Sequence, residues 1–242
     1  MRKIIIPLIL LLFIYFIITI INNKEKIVYI GDFTKVYLKS GENIKIDNKN
    51  DIINGKRVKY YQNSSFNKGF LYSEKSAFSN TYNILNKNKC KIIIRNGLVA
   101  TTRNTEIKIK EVITSNIDEK ELDLIANNLK IEISKLSTER VNKYPIDLDG
   151  NGKEEIIYQV KYTDNDFDRT DFVLLSNSKY SVFESYSNEK NSALRMNESL
   201  YMYIDFFNND DYNVLIQYSP EYEKPYHYKV FSYKDYKLVE VK

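Results

Sequence analysis

The feature that most limits the fold is a run of eighteen residues without a charge, 4–21, reading IIIPLILLLFIYFIITII. As a helix this run is about 27 Å long, close to the ~30 Å hydrocarbon core of a bilayer. Pro7 falls in the first turn, where a missing N–H costs little. Tyr15 and Thr19 suit the far interface. Arg2 and Lys3 precede the run and favour a cytoplasmic tip with the rest exported, although Lys24 and Lys26 weaken the asymmetry. The run exceeds the ~7–15 apolar residues of a signal peptide, and no small-x-small cleavage site follows it. No Cys lies near its end, which removes a lipoprotein. The expectation is therefore an uncleaved signal anchor over residues 1–25. That makes a single-pass cell-membrane protein with its C-terminal part on the extracytoplasmic side.

Composition narrows the chemistry of the exported part. The chain has 242 residues and 43% hydrophobic content, enough for a core. Cys90 and His227 are the sole residues of their types, so an internal disulfide, a Cys-based zinc site and a paired-histidine zinc protease are excluded. The net charge is +4, and Arg2 and Lys3 supply two of those charges. What remains is too little to attract nucleic acid. Trp is absent while Asn, Ile, Lys and Tyr abound, a skew that resembles a low-GC bacterial genome.

The expected fold class is α+β, mostly antiparallel β, in three stretches. Residues 26–113 carry short β runs: KIVYIGDF, TKVYLKS, ENIKID, RVKYYQ, CKIII and LVATT. Asn54-Gly55 and Asn96-Gly97 read as hairpin turns, because type I′ turns need positive φ at both central positions. Residues 62–80 are polar and aromatic and read as loops, while EIKIKEV closes the region. This predicts a small antiparallel sheet or barrel, with Cys90 as a buried small hydrophobe. Residues 114–242 begin with a helix, started by Asn116 or Asp118, with Asn116 and Glu119 as a capping pair. Leu122, Ile125, Ala126, Leu129, Ile133 and Leu136 form one stripe over 117–137, predicted to pack on a C-terminal β-meander.

The segment 147–161, DLDGNGKEEIIYQVK, carries the one chemical signal. Oxygen donors recur at alternate positions: Asp147, Asp149, Asn151, the Lys153 carbonyl and Glu155. That alternation lets a tight loop wrap oxygens around one hard cation such as Ca²⁺, which takes 6–8 of them. The spacing matches an EF-hand loop through its ninth position. The twelfth is Tyr158 in place of a bidentate Glu, and IIYQVKY continues as a strand.

IDLDGNGKEEIIYQV resembles the calcium loop and following strand of FG-GAP or VCBS-type repeats, the integrin-α propeller class. The resemblance covers about forty residues per unit and implies a structural Ca²⁺ held by the five positions just named. An internal repeat accompanies it. Ile204-Asp205 aligns with Ile146-Asp147 at a shift of 58, as do Asn209 with Asn151, Asn213 with Glu155 and Gln217 with Gln159. Further on, YKVFSYKDYKLVE (228–240) aligns with FVLLSNSKYSVFE (172–184) at a shift of 56. Phe207 stands at the place of Asp149, so the second copy is expected to have lost the ion. Two units cannot close a propeller of at least about four blades, which predicts a single open meander.

No nucleophile elbow, Walker or dinucleotide-binding pattern is present. His227, in PYHYKVF, falls on a strand, where a half-buried structural role is the simpler reading. Asp164, Asp166, Asp168 and Asp171 cluster between two strands as a cation site, an acid pair or a solvated hairpin, the last being simplest. Tyr pairs such as Tyr60 with Tyr61, or Tyr226 with Tyr228, suit sugars or protein partners. Two functions stay open. One is a non-enzymatic, membrane-anchored binding or structural module with a protein or cell-wall glycan partner. The other is a hydrolase acting on envelope polymers through Asp or Glu.

Overall fold

The computed structural model describes residues 26–31, 34–39, 43–47, 53–62, 64–75, 80–85, 88, 91–92, 98–102, 105–190, 196–220 and 227–242. The apolar run at 4–21, Cys90 and the Asn96-Gly97 pair lie outside these residues. No helix among them is long and apolar enough to cross a membrane.

An eight-stranded antiparallel sheet comes first. Its strands are β1 Lys26–Ile30, β2 Thr34–Leu38, β3 Ile44–Asp47, β4 Asn54–Gln62, β5 Ser65–Lys75, β6 Asn80–Leu85, β7 Lys91–Ile92 and β8 Val99–Thr102. Their order is β3-β2-β1-β8-β4-β5-β6-β7. The sheet curls on its own core: Tyr29 of β1 and Tyr82 of β6 meet edge to face at 5.6 Å, although β8, β4 and β5 lie between their strands. Two expectations fail here. Asn54-Gly55 is no hairpin turn. It lies inside β4, where Gly55 at φ +74° forms a β-bulge against β5. The stretch expected to be loops contains β5, eleven residues long. Residues 65–68 are all solvent-exposed, so this part of β5 gives no alternation to read.

Two four-stranded meanders follow, where one was expected. The first runs β10 Val141–Ile146, β11 Glu155–Asp164, β12 Phe167–Ser176, β13 Lys179–Glu189. The second runs β14 Met196–Asp205, β15 Asn213–Pro220, β16 His227–Lys234, β17 Lys237–Glu240. The last hairpins turn on Asn177-Ser178 and Asp235-Tyr236, all four at positive φ and 58 positions apart. The offset between the two units is therefore the same at the first loop and at the last hairpin. The 56-residue alignment matched side chains two positions out of register. A further strand, β9 Lys108–Glu111, lies at the outer edge of β14. Its EIKIKEV sequence was expected to close the N-terminal sheet; its apolar residues are instead completed by the second meander.

The sheets stack in layers. The second meander is central and covered on both faces. Met202, Ile204, Leu215 and Val230 face Val28, Ile30, Val36 and Val99 of the curled sheet. Tyr203, Val214, Ile216 and Phe231 face Ile146, Ile157, Phe172 and Leu174 of the first meander. Burial on both faces explains why β15 reads as a continuous apolar run, Val214-Leu215-Ile216, with no alternation.

The outer face of the first meander is covered by α1, Glu119–Leu129. Leu122, Ile125 and Ala126 pack on Val141, Tyr158, Val160 and Val173. The N-cap is Asp118, paired with Glu121 in a capping box, and not Asn116 with Glu119. The helix ends at Leu129, short of 137, because Lys130 turns left-handed (φ 57°) and Ile131 bonds back to the Ala126 carbonyl. Ile133 consequently leaves the stripe and is 47% exposed, while Leu136 returns to the core.

Candidate metal centre

The loop between β10 and β11 is built by its own backbone. The Asn151 and Gly152 N–H groups donate to the two carboxylate oxygens of Asp147 at 3.1 and 3.0 Å. Asn151 also donates to Asp149, from its N–H at 3.2 Å and from its side-chain amide at 2.9 Å. The Lys153 N–H donates to Asn151 Oδ1 at 2.7 Å. Gly150 and Gly152 take φ of +71° and +82°. At Gly150 a Cβ would also lie 2.9 Å from the Asp210 Cβ, so only glycine fits.

Glu155 opens β11 and is 6% exposed. It accepts from the Leu148 N–H at 3.1 Å and from the Tyr233 hydroxyl at 3.1 Å. Tyr233 in turn shares a 2.6 Å hydrogen bond with Ser176 Oγ. Its pKa is pushed up to about 12, first by burial; the Ser176 bond opposes this, and the charges of Glu155 and Asp149 add to it.

Oxygens of Asp147, Asp149 and Glu155 lie within 4.8 Å of one another. Among the described residues none of the three has an ion-pair partner. Asn151 sits at the rim through Asp149. Lys153 joins by its N–H bond to Asn151. All the donors are hard oxygens, the set suited to Ca²⁺, Mg²⁺ or Mn²⁺ and not to soft metals.

The loop between β14 and β15 repeats this backbone. Asp205 stands at the place of Asp147 and accepts from the Asp210 N–H at 2.8 Å, as Asp147 does from Gly152. The Asp211 N–H donates to Asn209, as Lys153 does to Asn151. Asn208 and Asp210 are left-handed where the first loop has its glycines. The donor set differs. Phe207 replaces Asp149, and Asn213 replaces Glu155, taking a 2.6 Å bond from Ser232. A cation is nevertheless present: the Lys108 ammonium lies 2.7 Å from Asp210. Its pKa is raised, first by that hydrogen bond; burial opposes this, and the charges of Asp210 and Asp205 add to the rise. The loops touch, with the Tyr212 N–H donating to the Leu148 carbonyl at 2.7 Å.

Sequence reasoning missed Lys108, Tyr233 and Ser176. Each reaches its loop from a distant strand, so no local spacing announces it. The acidic hairpin is not a cluster. Asp164 pairs with Lys135 and Arg169, Asp168 accepts from Thr163, and Asp171 accepts from Tyr162 and Ser185. His227 is exposed at the start of β16, not half-buried.

A scan against protein-family models matches no family, and searches of the curated proteins and of the solved structures return no match.

Proposed function

We propose that this chain is a membrane-anchored, extracytoplasmic, non-enzymatic binding or structural module whose 147–155 loop holds a structural Ca²⁺. The observation that carries the ion is the contrast between the twin loops. Where two donors are lost, Lys108 supplies a positive charge. Where three carboxylates converge within 4.8 Å, the described residues supply none. An ion there joins two sheets, because Glu155 of β11 is held by Tyr233 of β16 and Leu148 accepts from Tyr212. The flexible mixed-oxygen set suits Ca²⁺ over the smaller, octahedral Mg²⁺. With no bidentate Glu at the twelfth position, affinity belongs to the ~10⁻⁴–10⁻³ M class of extracellular sites.

The anchor rests on residues 4–21 and the export on Arg2 and Lys3. Calorimetric titration of the full chain in detergent tests the ion: Ca²⁺ should bind at one site and Mg²⁺ more weakly. No heat with either ion, or tighter Mg²⁺ binding, overturns it. Fractionation tests the anchor, and recovery of the full chain in the cytosol overturns it.

A further inference from the structure

A second site lies at the far end of the interface between the meanders. Tyr186 of β13, Tyr218 of β15, Tyr228, His227 and Lys229 of β16 and Glu240 of β17 line a half-open cavity of about 480 Å³. That volume is in the range of small-molecule sites, and aromatic walls with a few polar groups are their usual composition.

Its polar groups are organised. Lys229 Nζ lies 3.0 Å from both Glu184 oxygens, 3.9 Å from Glu240, and 5.3 Å from the Tyr218 ring centre. Tyr186 and Tyr218 meet edge to face at 6.2 Å, and Gln217 donates to the Tyr228 hydroxyl. Tyr218 is 4% exposed, and its hydroxyl makes no hydrogen bond of acceptable geometry, although Glu184 lies near enough to raise its pKa after burial has done so. Directly across the strand pair, Glu198 is 3% exposed with Oε1 equally unpartnered. Buried polar atoms without partners are uncommon, and Tyr218, in the cavity wall, carries one opposite another on Glu198.

The charges select the ligand. An anion would meet Glu184 and Glu240. A cation would meet Lys229, which already occupies the Tyr218 face. A neutral ring with one apolar side and several hydroxyls meets neither obstacle. Its C–H face lies on Tyr186, the partly exposed tyrosine of the wall, and its hydroxyls reach His227 and Glu240. We propose that this cavity binds a neutral pyranose ring of a glycan. The proposal deepens the binding-module reading, on which it rests, but does not require the ion.

Saturation-transfer NMR on the full chain, in polyoxyethylene detergent, tests it with chitotriose and cellotriose as neutral probes and choline and inorganic phosphate as charged ones. Transfer should reach the ring protons of at least one trisaccharide. The His227→Ala/Glu240→Gln double variant should bind it at least about fivefold more weakly, roughly 1 kcal/mol, with unchanged melting. Chelation should leave sugar binding intact. No transfer to either trisaccharide, tighter binding of choline or phosphate, or an unaffected double variant overturns the proposal. Sugar binding without any Ca²⁺ response would sink the ion alone, and cleavage of a bound sugar would sink the non-enzymatic reading while keeping the site.

Discussion

Replacing Asp149 by Asn should change stability in opposite directions with and without Ca²⁺. Asn is isosteric and keeps one oxygen to accept the Asn151 N–H, so the loop backbone is preserved. What changes is charge. Asp149 stands within 4.8 Å of two other carboxylates. Two like charges at that distance repel by about 1 kcal/mol in water and about 3.5 kcal/mol at an effective dielectric near 20. Asp147 and Asp149 are half-buried, so about 1–2 kcal/mol of net relief is the expected scale, after losing the bond from the Asn151 amide. In chelator the variant should therefore melt above wild type, by about 2–8 °C for a chain of this size. Wild type at ten times its dissociation constant gains about 1.4 kcal/mol from the ion, and the variant should gain almost none. Differential scanning calorimetry of the full chain in chelator and in about 10 mM Ca²⁺ reads all four values. Equal wild-type melting in both buffers would reduce the loop to a turn. A variant less stable than wild type in chelator would refute the electrostatic reasoning.

Ile125 is fully buried under the helix, so Ile125→Ala should lose about 2–5 kcal/mol in denaturant melts, while Leu124→Ala, at a 50% exposed position, should lose less than about 0.5 kcal/mol. Burial raises the Glu198 pKa above the ordinary carboxylate range, so its folded site favours the proton. That contribution is complete below the unfolded value near ~4.3 and is lost as pH rises through the folded one. Glu198→Gln should accordingly match wild type at acid pH and melt higher at neutral pH. Gly150→Ala should destabilise by about 1–3 kcal/mol, combining the left-handed backbone with the approach to Asp210. Lys108→Met should speed amide hydrogen exchange at Phe207 and Asp210, which donate to Asp205, and leave the 147–155 loop unchanged. Equal exchange in both proteins would show that Lys108 supplies nothing to its loop.

What the sequence discloses and what it hides separate along physical lines. The meanders and the first loop are legible because local rules write them. Oxygens fall on alternate residues from Asp147 to Glu155, and two left-handed residues mark each last hairpin. The helix is legible in position but not in length, since the apolar spacing continues past Leu129 while Lys130 has already broken the backbone. Asn54-Gly55 misleads because the same positive φ that makes a turn also makes a bulge. The exposed part of β5 is silent for lack of a buried face. The cavity at Tyr186, Tyr218 and Glu240 is assembled from strands of all three sheets, Ile46 of β3 included, and no window of sequence contains it.

The same limit explains the twin loops. Two backbone hydrogen bonds and both left-handed positions recur between them, so similar chain geometry must tolerate two different ways of compensating negative charge. Burial distinguishes them. Asp205 is 0% exposed and lies opposite Lys108 in the strand pair of β14 and β9. A buried carboxylate without a countercharge is costly. A lysine delivered along the sheet edge by β9 meets that need permanently. Asp147 and Asp149 are partly exposed, Asn151 is exposed, and an ion can come and go without disturbing the core. The loop whose first aspartate is partly exposed retains three converging carboxylates, and the loop whose first aspartate is buried carries its own cation.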